Sequence, residues 1–422
     1  MRISAVGLVG LSSRTQAAIR LLIVTVLLVA ALASSGASHK SSYIVLHKFS
    51  GGDDGWQPVA GLIRDAEGNL YGTAEFGGAF GYGTVFKLDA AGKETVLHTF
   101  TGEDGLWPLA VLARDDAGNL YGTTSNGGTP EGGGCIHGCG TVFKIDKAGK
   151  ETVLHAFTGG ADGGYPAAGL TFDAAGNLYG TAGGGKYPYG CCGVVFKLDK
   201  HYKETVLYTF TGGNDGDAPS GGVIWDNAGN LYGSTGFGGP SRTGVVFQLD
   251  PAGKETVLYS FTGGTDGGWP SGTLVRDGAG NLYGEARIGG DVSASACQSG
   301  SDGGCGVVFK VEASGKESVL YTFKGGHDQG LPNGGLLRDR AGNFYGTTGD
   351  VIGGCSSYGC GTVFKLAPDG TESVLHSFAF SSGIQPFAGV TMDESGNIYG
   401  TTSQGGHSGC SNGCGTVFKL TP

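Results

Sequence analysis

Along most of the chain, short apolar runs rich in Val, Leu, Phe, Tyr and Thr alternate with turns made of Gly, Asp and Asn. Almost no window places apolar residues at i, i+3 and i+4, the spacing that buries one face of a helix, so the pattern predicts strands. The first full unit sets the type. Ala60 to Arg64 reads as one strand, Asn69 to Thr73 as the second, Gly83 to Leu88 as the third and Thr95 to Phe100 as the fourth. Asp65-Ala66-Glu67-Gly68-Asn69 and Asp89-Ala90-Ala91-Gly92-Lys93 join them in pairs. Asp opens a type I turn and Gly supplies the positive φ of a bulge, so two tight hairpins are expected per unit. In the fourth strand, Val96 and Phe100 are expected on one face and Leu97 on the other. Both faces of such a sheet are apolar, and a single unit cannot cover them.

The unit repeats. Gly-Asn, an apolar residue and Tyr-Gly occur seven times, at Asn69, Asn119, Asn177, Asn230, Asn281, Asn343 and Asn397, in steps of 50, 58, 53, 51, 62 and 54 residues. A period near 50 with four strands fits a propeller blade. Blades stacked in a ring cover both apolar faces and leave no terminal unit exposed. An open array would need polar caps, yet the first and last units are as apolar as the rest. The repeats begin with Tyr43-Ile44-Val45-Leu46-His47-Lys48-Phe49, a fourth-strand sequence, and end with Gly415-Thr416-Val417-Phe418-Lys419-Leu420, a third-strand sequence. The expected fold is therefore all-β: a seven-bladed β-propeller of four-stranded antiparallel blades, with the N-terminal strand closing the last blade and hiding its free edge.

With 87 glycines and 13 prolines, composition alone would suggest low complexity, but the periodicity argues for a folded chain. Arg2, Arg14 and Arg20 precede an apolar stretch from Leu21 to Ala33 and small residues to Ala37. That is the pattern of a secretory signal, and the stretch falls short of the roughly 20 residues that span a bilayer. Residues 1–37 are expected to be a signal peptide, 38–42 a short linker and 43–422 a single propeller domain, secreted to the periplasm or the exterior. The first cysteine is Cys135, so no lipoprotein tether is expected. Signal removal leaves 24 basic against 37 acidic residues, a net charge of about −13. Without a basic stripe, nucleic acid is not an expected partner.

The ten cysteines fall two per unit in five units, always between the second and third strands: Cys135/Cys139, Cys191/Cys192, Cys297/Cys305, Cys355/Cys360 and Cys410/Cys414. In an exported chain each pair is expected to be a local disulfide that pins a long glycine-rich loop, the adjacent Cys191/Cys192 being the strained one. A zinc ion wants four ligands at one point, whereas these cysteines are dealt out in twos, with His137 and His407 beside two of the pairs. No metal or other cofactor is expected.

The loop from each fourth strand to the next first strand reads Gly-Gly-x-Asp-Gly-x-x-Pro. Its acids are Asp54, Asp104, Asp162, Asp215, Asp266 and Asp328, with Ser382 in the last unit. Trp56, Trp107, Tyr165 and Trp269 stand beside them, on the face that also carries the cysteine loops. Aromatic platforms beside carboxylates suit a polyol or sugar, by stacking and by accepting hydroxyl hydrogen bonds. The alternative is that Asp closes the turn and the aromatic side chain wedges between blades. Calcium wants six to eight oxygens, more than one Asp per loop offers. His47, His98, His155 and His376 share a fourth-strand position with Tyr208, Tyr259 and Tyr321, which suggests packing at the rim. Glu285, with Arg287 nearby, replaces the Thr or Ser after Tyr-Gly but shows no catalytic partner.

The combination Glu-Thr-Val-Leu-His/Tyr, Gly-Gly-x-Asp-Gly-x-x-Pro, Asp-x-x-Gly-Asn-Leu-Tyr-Gly-Thr and Gly-Thr-Val-Phe-Lys-Leu resembles the GloVer tandem repeat of secreted bacterial proteins, over Tyr43 to Pro422. The resemblance implies a secreted repeat protein and brings no catalytic residues. The anchoring segment that such proteins often carry has no counterpart after Leu420-Thr421-Pro422. The first hairpin alone also resembles NHL-type and lactonase-like propellers. The expected function is a non-enzymatic, monomeric binding scaffold for carbohydrate or an extracellular protein. The alternative is a lactonase- or lyase-like enzyme with its site in the central channel.

Overall fold

The Asp-x-x-Gly-Asn-x-Tyr motif is a self-contained hairpin. In the first unit Gly68 donates to Asp65 O at 3.1 Å with φ +89°, while the Asp65 carboxylate accepts from Asn69 N (2.8 Å), Asn69 Nδ2 (2.7 Å) and Tyr71 OH (2.9 Å). All seven units repeat this carboxylate network, from Asp115 with Asn119 and Tyr121 to Asp393 with Asn397 and Tyr399. Burial pushes these carboxyls up, but the three donors more than offset it and hold each below the usual aspartate range.

In the computed structural model, which describes residues 41–128, 135–184, 192–293, 297, 303–349, 360–406 and 409–422, these hairpins belong to seven antiparallel sheets. Tyr43–Thr421 forms one unit; the signal expected over 1–37 lies outside the described residues. The first blade comprises Ile63–Arg64, Leu70–Ala74, Thr84–Leu88 and Glu94–Thr99 in that order. The last sheet takes Thr391–Met392, Ile398–Thr402 and Thr416–Thr421 from one end of the repeats and Ser42–Lys48 from the other. The ring is therefore a closed seven-bladed propeller. Among the described residues no helix is long and apolar enough to cross a membrane.

Two details differ from expectation. The innermost ladder of the first blade is confined to Ile63–Arg64, and just upstream Gly61 approaches neighbouring blades so closely that a Cβ there would lie 3.0 Å from Val111 and 3.1 Å from Gly389 O; only in the fifth blade is the innermost strand continuous, Gly268–Arg276. In the outermost strand Leu97 is an extra residue, since Val85 pairs with His98 and Phe86 with Val96. This bulge recurs in five further blades and resets the expected alternation.

Blades are locked by edge-to-face phenylalanine pairs. The Phe that follows each fourth strand meets the third-strand Phe of the next blade, as in Phe49–Phe86, Phe100–Phe143 and Phe157–Phe196, at centroid distances of 5.1, 5.1 and 5.2 Å. Four more such pairs complete the circle. Each contributes about 1 kcal/mol beyond its buried area. The Gly of Tyr-Gly makes room for them: a Cβ on Gly72 would lie 2.7 Å from the Phe86 ring.

Candidate functional site

Each loop that leaves a fourth strand is closed by its aspartate. Asp104 accepts from Thr101 N at 2.8 Å, Thr101 Oγ1 at 2.9 Å and His98 Nε2 at 2.8 Å. Asp215 accepts from Thr211 N, Thr211 Oγ1 and Tyr208 OH, and Asp266 likewise from Thr262 and Tyr259. Asp328 takes Lys324 N and Tyr321 OH, while Asp54 and Asp162 bind Ser50 and Thr158 and lie 3.5 Å from His47 and His155. Burial raises the Asp54, Asp104 and Asp215 carboxyls, and these hydrogen bonds more than reverse it. The interchange of His and Tyr in the fourth strand thus has a cause at six of the seven loops, where both place a polar side-chain atom 2.8–3.5 Å from the next loop's aspartate; the loop after His376 carries Ser382 instead.

The aromatic residues occupy a different part of the loop. Gln57, Trp107, Tyr165, Ala218, Trp269, Leu331 and Gln385 each precede a proline, and all seven have φ between +52° and +59°. Each donates its N–H to a carbonyl of the preceding blade at 2.8–3.0 Å: Gln57 to Cys414, Trp107 to Tyr82, Tyr165 to Cys139, and so on around the ring. A left-handed conformation costs a residue with a Cβ roughly 1 kcal/mol. Trp56 lies one place earlier than the other aromatic residues, at the position of Leu106 and Gly164. It bridges Phe76 and stacks on that ring at 4.8 Å.

Cys135–Cys139, Cys297–Cys305 and Cys410–Cys414 are disulfides, as the local pairing predicts. For the other two expected pairs only one member can be followed, since Cys191 and Cys355 lie outside the described residues. Cys192 and Cys360 are each disulfide-bonded, and their surroundings add a contact with the next blade to the expected pinning of a loop. Cys192 is only 1% exposed and Cys360 3%, because each stands at the entry to a third strand, under the next blade. The carbonyl of Cys192 accepts from Ala218 N at 2.9 Å, and that of Cys360 from Gln385 N at 3.0 Å. Cys192 and Cys360 are thus fixed points of the blade-to-blade contact. The three described bridges pack beneath the next blade's loop in the same way, and a Cβ on Gly164 would lie 3.2 Å from Cys139 Cβ and 3.5 Å from Cys135 Sγ. They buttress the very strand entries that carry the pre-proline residues.

Between the second and third blades this produces a concave pocket of about 510 Å³, lined by Trp107, Asn126, Ile136, His137 and Tyr165. The Asn126 amide, held by Ile136 O and Gly138 O at 3.3 Å each, ties its floor to the stapled loop. Trp107 is 6.0 Å from Phe76 and 6.4 Å from His137, extending an aromatic arc from Trp56. Asp104 and Asp162 do not line the pocket. The structure thus separates the expected site into a carboxylate set that closes loops and an aromatic set of which Trp107 and Tyr165 line this cavity, while Trp56 and Trp269 do not. Asn126, Ile136 and the role of His137 here went unread in the sequence; the residue before each repeated Pro was the available signal.

The central channel is a second cavity, of about 320 Å³. Its lining of Gly, Val, Leu, Ile and Thr includes Gly61, Val111, Gly169 and Gly222, and no acid or histidine among the described residues. A Cβ on Gly222 would lie 2.6 Å from Gly169 O. Glu285 sits behind this wall. It is fully buried, accepts from Gly335 N through Oε2 at 2.9 Å, and leaves Oε1 without a hydrogen-bond partner among the described residues. Burial pushes its carboxyl up to about 8.

The sequence profile described as the Gloeobacter/Verrucomicrobia repeat matches residues 36–199, 181–296 and 292–422. No curated protein matches the chain. Among solved structures, virginiamycin B lyase from Staphylococcus aureus aligns with a TM-score of 0.57 and 12% identity, over 91% of this chain and 99% of that one. The extracellular domain of a hybrid two-component system protein from B. thetaiotaomicron aligns at 0.53 and 13%, over 90% of this chain and 41% of that one. At such identities the likeness is one of fold.

Proposed function

From the premise that the chain belongs to the Gloeobacter/Verrucomicrobia repeat family, we propose that it is an exported, non-enzymatic scaffold that binds a saccharide on its disulfide-stapled face. The observation that carries this reading is the Trp107/Tyr165 pocket. Two aromatic side chains, an imidazole and an amide border a cavity whose wall is stapled by Cys135–Cys139, so the ring faces are positioned before a ligand arrives. The acidic net charge favours an uncharged glycan over a polyanion. Disulfides support work in an oxidising compartment, and the B. thetaiotaomicron relative in fold is itself an extracellular domain. A lyase- or lactonase-like site in the channel would need acids or histidines there, and the Gly and Val lining supplies neither among the described residues.

The test is a glycan array probed with residues 38–422 made through an oxidising compartment. Neutral glycans are expected to bind, and Trp107→Ala to abolish most of the signal. Trp269→Ala, at the equivalent position of the fifth blade beside Phe237, reports whether a second pocket contributes. Uniformly blank arrays overturn the saccharide reading.

A further inference from the structure

The ring of residues before the repeated prolines has a property that packing alone does not explain. Two places upstream, in the same loop, the backbone is also left-handed, and there the chain uses Gly55, Gly105, Gly163, Gly216, Gly267 and Gly383, with Gln329 the one exception. There glycine answers two needs at once, the left-handed turn and a close approach, since a Cβ on Gly55 would lie 2.7 Å from Ala74 Cβ and one on Gly105 would run into Thr124 Oγ1. At the pre-proline position the sequence never uses glycine, although the following proline restricts the conformation further. Seven strained side chains are retained on seven copies of one backbone geometry.

Those side chains also differ from one another more than their surroundings do. The hairpin motif on each blade keeps the same Asp, Asn and Tyr, whereas the pre-proline residue is Gln, Trp, Tyr, Ala, Trp, Leu or Gln. A fixed frame with a variable side chain is the arrangement of a surface that reads a ligand. Each of these residues stands a few positions before the channel lining of its own blade, as Gln57 does before Gly61 and Leu62, and none lines the channel itself; at equivalent places on seven blades they form a rim around the axis on one face. From the seventh blade through the first to the third the rim runs Gln385, Gln57, Trp107, Tyr165. Amides that donate and accept are followed by rings that stack, and Phe76 and His137 extend the aromatic surface beside Trp107. The remaining arc opens with Ala218, which offers neither.

We propose, resting on the saccharide reading above, that the pre-proline rim is the specificity-determining surface and that its Gln385-to-Tyr165 arc takes an extended chain of neutral pyranose units rather than a single sugar. Glycine substitution separates recognition from packing, because it removes the side chain and relieves the strain together. The experiment measures Tm and titrates the disulfide-intact protein with the neutral hexasaccharide giving the strongest array signal and with its monosaccharide. The hexasaccharide is expected to bind at least tenfold more tightly than the monosaccharide. Trp107→Gly and Tyr165→Gly are expected to weaken it at least tenfold while melting no lower than wild type, and Trp107→Gly to melt above Trp107→Ala. Ala218→Gly is expected to leave binding unchanged. Glycine variants that melt lower but bind normally would make these residues interblade wedges and overturn the proposal, and equal affinity for the monosaccharide would overturn the extended ligand. If the wild type binds no glycan, the saccharide reading fails by itself; glycine variants that still melt no lower than wild type then support the rim as a presented surface, and variants that melt lower overturn it as well.

Discussion

Six of the junctions between blades share a polar design at the outer rim, and the seventh, a seam where the N-terminal strand of the last blade packs on the sixth blade, does not. In the six, the glutamate that opens each fourth strand leans on the preceding blade's loop. Glu151, His98 and Asp104 bring one donor atom each within 4.8 Å of one another, and Glu94, Glu204, Glu255, Glu317 and Glu372 neighbour Asp54, Asp162, Asp215, Asp266 and Asp328. At the seam Tyr43 stands in the glutamate's place and Ser382 in the aspartate's. Tyr43 stacks flat on His376 at 3.8 Å, meets Phe378 edge-on at 5.8 Å, and donates its hydroxyl to Ser382 O at 2.7 Å. Both carboxyls are thus absent from this one junction together. This junction relies instead on aromatic packing and on the Tyr43 hydroxyl.

Removing residues 1–49 breaks this comparison at its strongest point. It leaves Thr416–Thr421 with an unpaired edge and uncovers Phe86 by taking away the fully buried Phe49. Loss of cooperative thermal unfolding and aggregation in size-exclusion chromatography are the expected outcomes. A soluble, two-state truncation would mean that the seam is dispensable. Tyr43→Ala follows, at about 2 kcal/mol of stability, since the half-buried ring loses its stack on His376 and its hydrogen bond to Ser382 O. Glu151→Ala, its counterpart at a regular junction, is expected to cost under about 1 kcal/mol. Urea titrations of the two variants compare the junctions directly.

A third variant concerns an inner-rim exception, Glu285. Thr347 and Thr401 at the equivalent position donate to the next blade's backbone, to Ala388 O and Ala60 O, while Glu285 must hold a proton to remain buried. Its folded pKa of about 8 exceeds the unfolded value, so the native state binds the extra proton and stability falls as pH rises from about 4.5 to 8. Glu151, Glu255, Glu317 and Glu372, pushed up to about 7 by burial and by the neighbouring aspartates, add to the same slope. The hairpin aspartates act oppositely and lose their contribution only below about pH 4. The stability maximum is therefore expected at mildly acidic pH, near about 5. Glu285→Gln should raise stability at pH 7 by on the order of 3 kcal/mol and flatten the slope toward pH 8. Urea midpoints at pH 5, 7 and 8 check both statements, and a variant whose midpoints track the wild type would show that Glu285 does not carry the slope.

Much of this architecture was legible in the sequence because it repeats. The Gly-Asn-x-Tyr-Gly spacing marked seven blades, and the fourth-strand look of Tyr43–Phe49 foretold which strand closes the ring. What the sequence hid were contacts between blades. The bulge at Leu97 depends on the pairing of two strands, and the Glu151/His98/Asp104 cluster on how one blade leans on another. Cysteine spacing pointed to the local bridges, but it did not show that Cys192 and Cys360 would be sealed under the next blade by Ala218 and Gln385. The aspartates and aromatic residues of the loop look like one site in the chain because they are adjacent there. In space Asp104 turns to His98 and Thr101 while Trp107 turns to Tyr165 and His137, a division that backbone direction decides and one-dimensional spacing does not record.

One group of the regular junction, the loop aspartate, can be moved into the seam beside His376. His376 lies under Tyr43, with Phe378 edge-on at 4.9 Å, and its Nε2 has no hydrogen-bond partner among the described residues. Burial lowers its pKa to about 4. Its folded value lies below the unfolded one, so protonation is disfavoured in the native state and this junction loses stability as pH falls from about 6.5 to 4. In the regular junction His98 Nε2 lies 2.8 Å from Asp104. Ser382→Asp supplies the missing carboxylate at the seam, where the Ser382 hydroxyl now bonds only to its own turn through Ala379. The charged imidazole would then have an acceptor, and its pKa is expected to rise by at least about one unit, read from the His376 ring protons by NMR between pH 3 and 8. Donation from the Tyr43 hydroxyl to Ser382 O does not depend on that side chain, so the stack should survive the change. A His376 titration that stays near 4 in the variant would mean that the aromatic sandwich, and not the absent aspartate, sets the seam apart.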